Sequence, residues 1–232
     1  MRNNYYKNKV CLVIGAGGGV GSGLARKLTD FGAVVIKASK NSGHLVDITS
    51  SKSICYLKRW VKRKHNKIDF IFNASGIACY KPLSKTTNQE INSVLDVNLI
   101  GPILLTRCFF DLMSDNGYMV HIGSVAGITI GHKFFSIYSA SKEGLAGFLR
   151  SAAAEYQNIN FILVTPSGIN TRLPNKSYGS NMLIKKFNRS KLDSVEDVCN
   201  GILNNIEYFD NTRDIRLFPT KLSRDIYEKI TK

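Results

Sequence analysis

From one end of the chain to the other, runs of consecutive apolar residues alternate with stretches whose apolar positions recur every three or four residues. The runs predict strands at 9–14, 33–38, 45–48, 68–73, 118–123, 160–165 and 214–218. The recurrent stretches predict helices at 20–31, 51–64, 138–156 and 195–206, and a long one opening at Thr87 and reaching about Met113. Thr87 and Glu90 have the spacing of a capping box, which marks where that helix starts. Past the last strand the chain reads as a polar helix.

Continuously apolar strands separated by helices need cover on both faces. The pattern therefore predicts an α/β, doubly wound, Rossmann-type parallel sheet with helices on both faces. At 232 residues the chain suits a single domain, 1–232. Ligands of such sheets bind beyond the carboxyl ends of the strands. One connection is anomalous. The segment 39-SKNSGH-44 joins the second and third strands, and it is too short for a crossover helix. Either this crossover is a bare loop or one of the two segments is not a strand.

Composition narrows the class. Hydrophobic residues make up 44% of the chain, enough for a sizeable core. No run approaches eighteen apolar residues, so no membrane span is expected. The run 10-VCLVI-14 is too short for a secretory signal, and a cytoplasmic protein is expected. The five cysteines are scattered and include no C-x-x-C, which argues against a disulfide framework and a zinc site. The four histidines show no ligand spacing, so no metal is expected. The formal charge of +15 admits a nucleic acid, an anionic membrane surface or small anionic ligands. The densest basic run, 58-KRWVKRKHNK-67, follows Ile54, Leu57 and Val61 at helical spacing and reads as the solvated face of an amphipathic helix.

Two stretches carry chemistry. The first is 15-GAGGGVGSG-23, between the first strand and its helix. A tight turn there brings backbone close to a ligand, and the helix N-terminus offers N–H groups and partial positive charge, which suits a diphosphate. Gly15, Gly19 and Gly21 are spaced G-x-x-x-G-x-G, with Gly17 and Val20 between them. The second is 137-IYSASKEG-144, which puts Tyr138 and Lys142 one helical turn apart. Spacing alone does not separate this pair from surface decoration, since Tyr5 and Lys9 repeat it.

From Val10 to about Thr171 the chain resembles the short-chain dehydrogenase/reductase family. Its glycine turn corresponds to TGxxxGxG, with Ile14 where Thr is usual, and 73-NASG-76 looks like NNAG. Asn98 in 96-DVNLIGP-102 and Ser124 in 122-IGSVAG-127 stand where the family places a helix Asn and a catalytic Ser. Tyr138 and Lys142 match YxxxK, and 166-PSGINT-171 resembles PGxxxT with Ser167 in place of Gly. The interval from Ser124 to Tyr138 is one residue longer than the family's, which the loop 128-ITIGHKFFSI-137 takes up.

The resemblance implies roles. Tyr138 is implied as the general acid that protonates a carbonyl oxygen during reduction, and Ser124 as a hydrogen-bond donor to that oxygen. A free tyrosine titrates near ~10, and a cation within ~4–6 Å lowers an acid's pKa by ~1–3 units. Lys142 is implied as that cation and as a holder of the nicotinamide ribose, and Asn98 as holder of a water linking Lys142 to solvent. The diphosphate is expected at Gly15, Gly17, Gly19, Val20 and Gly21. An acid at the end of strand two would select NAD. Ser39 and Lys40 stand there instead, so NADP(H) is expected in preference to NAD(H). Asp47 and Ile48 are implied at the adenine, and Asn73, Ala74, Ser75 and Gly76 beside the adenosine ribose. Pro166, Ile169 and Thr171 are implied near the nicotinamide, with Tyr138 and Lys142.

The segment 172–194 lies where the family places a substrate lid, and carries Arg172, Lys176, Lys185, Lys186, Arg189 and Lys191. A basic lid suits an anionic carbonyl substrate: phosphorylated, carboxylated or carrier-linked. The C-terminus lacks the family's Gly-rich ending, while the long helices can pair between subunits, so a homodimer or homotetramer is expected. The main reading is an NADPH-dependent carbonyl reductase acting on a small-molecule carbonyl/alcohol pair, with neither nucleic acid nor membrane as partner. The alternative is a non-catalytic NAD(P)- or RNA-binding protein on the same scaffold, using 54–67 as its contact surface. A sugar-nucleotide epimerase shares the Tyr/Lys pair but needs a larger substrate domain.

Overall fold

The computed structural model describes residues 4–127, 132–173, 177–182, 192–209 and 215–231. Strands run at Val10–Ile14 (β1), Val34–Ser39 (β2), His44–Leu45 (β3), Ile68–Asn73 (β4), Met113–Ile122 (β5), Ile159–Val164 (β6) and Arg216–Leu217 (β7). Helices run at Gly19–Asp30 (α1), Ser51–His65 (α2), Asn88–Leu95 (α3), Gly101–Phe109 (α4), Ser136–Glu155 (α5), Val195–Asn205 (α6) and Lys221–Thr231 (α7). Among the described residues the strands form one parallel sheet in the order β3-β2-β1-β4-β5-β6-β7. The chain builds outward from β1 to β3 and then returns to the other side of β1 at β4. The direction reverses there, and in sheets of this kind such a reversal leaves a crevice beyond the carboxyl ends of the two strands, here β1 and β4.

Alternation along each strand divides the core. Leu12 and Ile14 of β1 face α2, α4 and α5, packing with Leu57, Val61, Leu105, Phe109 and Leu149. Cys11 and Val13 face α1 and α6, packing with Leu24, Leu28, Val198 and Ile202. Each fully buried leucine contributes about 1.5–3 kcal/mol, so α1 is held firmly behind the glycine turn it begins from. Helix α2 buries Ile54, Leu57 and Val61 and turns its basic residues outward, as its periodicity predicts.

The anomalous connection is a bare loop. Ala38 pairs with His44 and Ser39 with Leu45, so the chain retreats only one residue's height before running parallel again. No crossover helix is needed over so short a return. The Ser39 hydroxyl closes the loop, donating to the Ser42 carbonyl at 2.8 Å and accepting from the Ser42 N–H at 2.9 Å. β3 ends at Leu45 rather than Ile48 because the Asp47 N–H goes to the Ser53 hydroxyl on α2, at 3.0 Å.

Two other expectations shift. β5 begins at Met113 rather than 118, pairing Ile68 with Met113 across an irregularity before Phe70 meets Tyr118. The helix predicted from Thr87 is not uniform. The capping box of Thr87 and Glu90 is present, but the helix widens into a π turn over Asp96–Ile100 before α4. Pro102 supplies the cause. In a regular α-helix its nitrogen would bond the Asn98 carbonyl, and proline has no N–H to give. The span Asn88–Leu112 is long and apolar enough to cross a membrane by length and composition alone. Here it lies against the sheet through Val94, Leu105 and Phe109.

Candidate active site

The turn after β1 is shaped by its neighbours. Gly15 adopts φ +80°, and a methyl there would lie 2.8 Å from the Ser75 nitrogen. A methyl on Gly21 would lie 2.3 Å from the Gly15 carbonyl oxygen. Only glycine fits either position. The N–H groups of Gly15 and Ala16 donate to the Ala38 carbonyl at 2.9 and 3.2 Å, and the Ala74 N–H donates to Ile14 at 2.9 Å. These bonds join the ends of β1, β2 and β4 into one shelf.

The remaining cofactor candidates gather around that shelf. A methyl on Gly17 would lie 3.1 Å from the hydroxyls of Ser39 and Ser42. Thr171 packs beside Gly19, its Cγ2 3.5 Å from where a methyl would stand. Val20 is buried behind the turn. Asn73 accepts from the Ser75 N–H at 3.2 Å and its hydroxyl at 2.5 Å, turning 73–76 across the crevice. Ile48 packs against the backbone of Gly101. Lys40 and Asp47, assigned to different parts of the nucleotide, pair with each other at 2.9 Å. Burial pulls the Asp47 carboxyl up, but Lys40 and Thr49 outweigh it and hold it below the usual range.

The catalytic candidates converge from three elements. Tyr138 and Lys142 are buried on α5. The loop after β5 supplies Ser124, whose oxygen accepts from the Ala126 N–H at 3.1 Å, so its proton is available to the Tyr138 phenol. The Lys142 ammonium donates to the Ile122 carbonyl at 2.8 Å. Burial lowers the Lys142 pKa to about 8. The family resemblance implies that Lys142 lowers the Tyr138 pKa. Instead burial raises it, and the Ser124 hydrogen bond is the opposing influence. The physical reason is that the buried phenol has left water, which outweighs the Ser124 hydrogen bond, while the Lys142 ammonium is turned to the Ile122 carbonyl.

Asn98 occupies the π turn with both its amide nitrogen and its amide oxygen bonded to protein. Its Oδ1 accepts from the Ile77 N–H at 3.0 Å, and its Nδ2 donates to the Ile77 carbonyl at 2.8 Å and the Ser141 hydroxyl at 3.0 Å. Ser141 in turn donates to the Tyr138 carbonyl at 2.7 Å. The Asn98 side chain is thus a brace between the loop after β4 and the Tyr138 turn. A methyl on Gly76 would lie 3.5 Å from Asn98 Oδ1 and 3.7 Å from Lys142 Nζ, so the three meet at one corner of the crevice.

The loop after β6 closes the other side. The Pro166 carbonyl accepts from the Val125 N–H at 3.0 Å, tying it to the Ser124 loop. Asp193, which the sequence does not single out for a role, holds this loop. It accepts from the Ser167 hydroxyl at 2.5 Å and the Thr220 hydroxyl at 2.7 Å, and its backbone bridges Ile169. The departure of Ser167 from the family's glycine was the available signal. Of the lid cations, Arg172 is described, while Lys176, Lys185, Lys186, Arg189 and Lys191 lie outside the described residues. Residues Tyr80, Phe134 and Phe135 form an apolar wall beside Tyr138, with the Phe135 and Tyr138 rings 5.5 Å apart. Among the described residues no cluster of His, Cys, Asp and Glu has the make-up of a metal site.

A glycine shelf at the switch point and a Ser, Tyr and Lys group beside it define an oxidoreductase scaffold. The chain belongs to the short-chain dehydrogenase/reductase family, whose model, described as "short chain dehydrogenase", matches residues 40–181. It is 31% identical over 191 residues to the uncharacterized oxidoreductase YDL114W of Saccharomyces cerevisiae, covering 72% of this chain and 62% of that one. It is 29% identical over 214 residues to carbonyl reductase family member 4 of Xenopus laevis, covering 84% of this chain and 90% of that one. A short-chain dehydrogenase/reductase from Burkholderia phymatum, solved in complex with NAD, shares the fold with a TM-score of 0.84 at 18% identity, over 96% of this chain and 92% of that one.

Proposed function

We propose that the chain is an NADPH-dependent reductase that converts a carbonyl to an alcohol. The observation that carries this reading is the meeting of Ser124, Tyr138 and Lys142 beside a glycine shelf that fits a diphosphate. Gly15 and Gly21 let the turn close on the backbone of Ala74, Ser75 and Gly15, where any Cβ would collide, while a Cβ on Gly18 at the start of α1 would meet nothing. A tight turn at a helix N-terminus suits a diphosphate. When bound, the reduced nicotinamide supplies the hydride to the carbonyl carbon.

The protein's own residues handle the oxygen. Ser124 donates a hydrogen bond where negative charge develops, and Tyr138 supplies the proton. A phenol whose pKa is raised by burial is protonated at neutral pH, as a general acid must be. Lys142 keeps positive charge at that corner below about pH 8. Asn98 and Ser141 fix the turn that carries Tyr138. The aromatic wall of Tyr80, Phe134 and Phe135 suits an apolar flank on the substrate, and Arg172 at the lid's start suits an anionic group further out.

NADPH is favoured because the end of β2 offers hydroxyls and a cation in place of a carboxylate. Ser39 and Ser42 border Gly17, and Lys40, which pairs with Asp47, would exchange that bond for a 2′-phosphate. The test is a screen of purified protein with NADPH and then NADH against a panel of carbonyl compounds, with and without anionic groups, following nicotinamide absorbance. Turnover with NADPH on at least one class is expected. Binding of dinucleotide without turnover on any class would move the reading to the non-catalytic alternative.

A further inference from the structure

Cys55 on α2 and Cys108 on α4 lie 53 positions apart in sequence, yet their Sγ atoms are 3.6 Å apart. Cys55 is exposed and Cys108 half-buried, whereas Cys11, Cys79 and Cys199 are buried. A disulfide needs the sulfurs at about 2.0 Å, so rotation of the two side chains must bring this pair closer. The pair borders a groove of about 670 Å³ lined also by Lys58, Arg59, Lys62 and Arg107. Asp111 pairs with Lys58 at 2.6 Å, and the Arg59 guanidinium lies over the Tyr56 ring at 4.4 Å. One carboxylate against four cations leaves the groove positive.

We propose that Cys55 and Cys108 form a reversible dithiol/disulfide site that reacts with a small anionic disulfide of the glutathione type, drawn in by the basic groove. The exposed Cys55 thiolate attacks one sulfur of the oxidant. That breaks the oxidant's S–S bond, releases one thiolate and leaves a mixed disulfide on Cys55. Cys108 then gives up its proton and attacks Cys55 Sγ, expelling the second thiolate. The two protein thiols are oxidised and one disulfide molecule is reduced to two thiols. Cys108 is the resolving partner because burial, and then its neighbour Cys55, push its thiol up to about 12. The product bond ties α2 to α4, whose Leu57, Val61, Leu105 and Phe109 already share one core cluster.

The test treats the purified chain with oxidised glutathione. We expect loss of two of the five thiols, a peptide cross-linking Cys55 to Cys108, no retained adduct, and a higher Tm. Cys108→Ser is expected to trap one glutathione on Cys55, and Cys55→Ser to react far more slowly. The groove's part is read by rate: added salt should slow the reaction several-fold, and uncharged hydroxyethyl disulfide should react more slowly and without salt dependence. Absence of the cross-linked peptide, or separate stable adducts on both cysteines, overturns the site. A cross-link formed equally fast with both reagents at every salt concentration overturns the role of the basic groove. Circular dichroism of the double Ser variant separates these outcomes from unfolding.

Discussion

Lys142 Nζ is bonded to the Ile122 carbonyl oxygen at 2.8 Å, which anchors the middle of the active-site helix to the end of β5, two residues before Ser124. Burial brings this ammonium to about 8, below its ordinary value of 10.5. Between those values the unfolded chain holds a proton that the folded chain has lost. Stability from this site is therefore expected to rise as pH rises from about 8 to 10.5. Lys142→Met should flatten that rise in a urea series. The same titration should make reductive kcat/KM fall as pH climbs past 8, a profile that the Met variant would not follow.

His121 gives a second test of the same sign, at acid pH. Its ring is buried beside Lys142, its Nδ1 sits 3.2 Å from Asn73 Nδ2, and its Nε2 has no hydrogen-bond partner among the described residues. Burial, and then the Lys142 charge, lower its pKa from 6.5 to about 3. The unfolded chain takes up a proton in that window and the folded chain does not, so stability is lost as pH falls below 6.5. The slope from one such group approaches about 1.4 kcal/mol per pH unit. His121→Asn should keep a bond to Asn73 and lose less stability between pH 6.5 and 4 than the wild type, measured by denaturant midpoint.

The choice between cofactors is expected to rest on Ser39 and Lys40. Ser39→Asp places a carboxylate against the Gly17 shelf and should turn the preference toward NADH. Lys40→Ala should raise KM for NADPH and leave KM for NADH nearly unchanged. A hydrogen bond to a charged group is worth about 1.5–3 kcal/mol, so the NADPH effect should be roughly ten- to a hundredfold. Equal change for both cofactors would place Lys40 outside the phosphate site.

Asp193 holds the loop 166–171 through Ser167 and braces α7 through Thr220. Asp193→Ala should cost about 1–3 kcal/mol of stability, because both hydroxyls lose their acceptor. KM for the dinucleotide should rise as well, since Thr171 borders the Gly19 turn. Asp193→Asn keeps an acceptor and should recover part of both effects.

Much of this architecture is legible in the sequence because strand and helix periods are local properties. β1, β4 and β6 start or end within a residue of where their apolar runs predict, and Tyr138 and Lys142 lie one turn apart on α5 as their spacing implies. What is not legible depends on contacts between distant segments. The third strand is expected at 45–48, but that it pairs only through His44 and Leu45 depends on its register against Ala38 and Ser39. The π turn at Asn98 is written in Pro102, four residues on, but reading it requires asking which carbonyl that proline leaves without a donor. The pairing of Lys40 with Asp47, the bracing by Asp193 and the raised pKa of Tyr138 follow from burial and packing, which spacing does not report.

The central claim is that the Tyr138 hydroxyl delivers the proton, and Tyr138→Phe tests it most directly. Dinucleotide affinity and reductive kcat are to be measured on the same preparation. We expect binding within a few-fold of wild type and a kcat loss of roughly a hundred- to ten-thousandfold, the usual worth of a general acid. Full turnover without the phenol would contradict the mechanism.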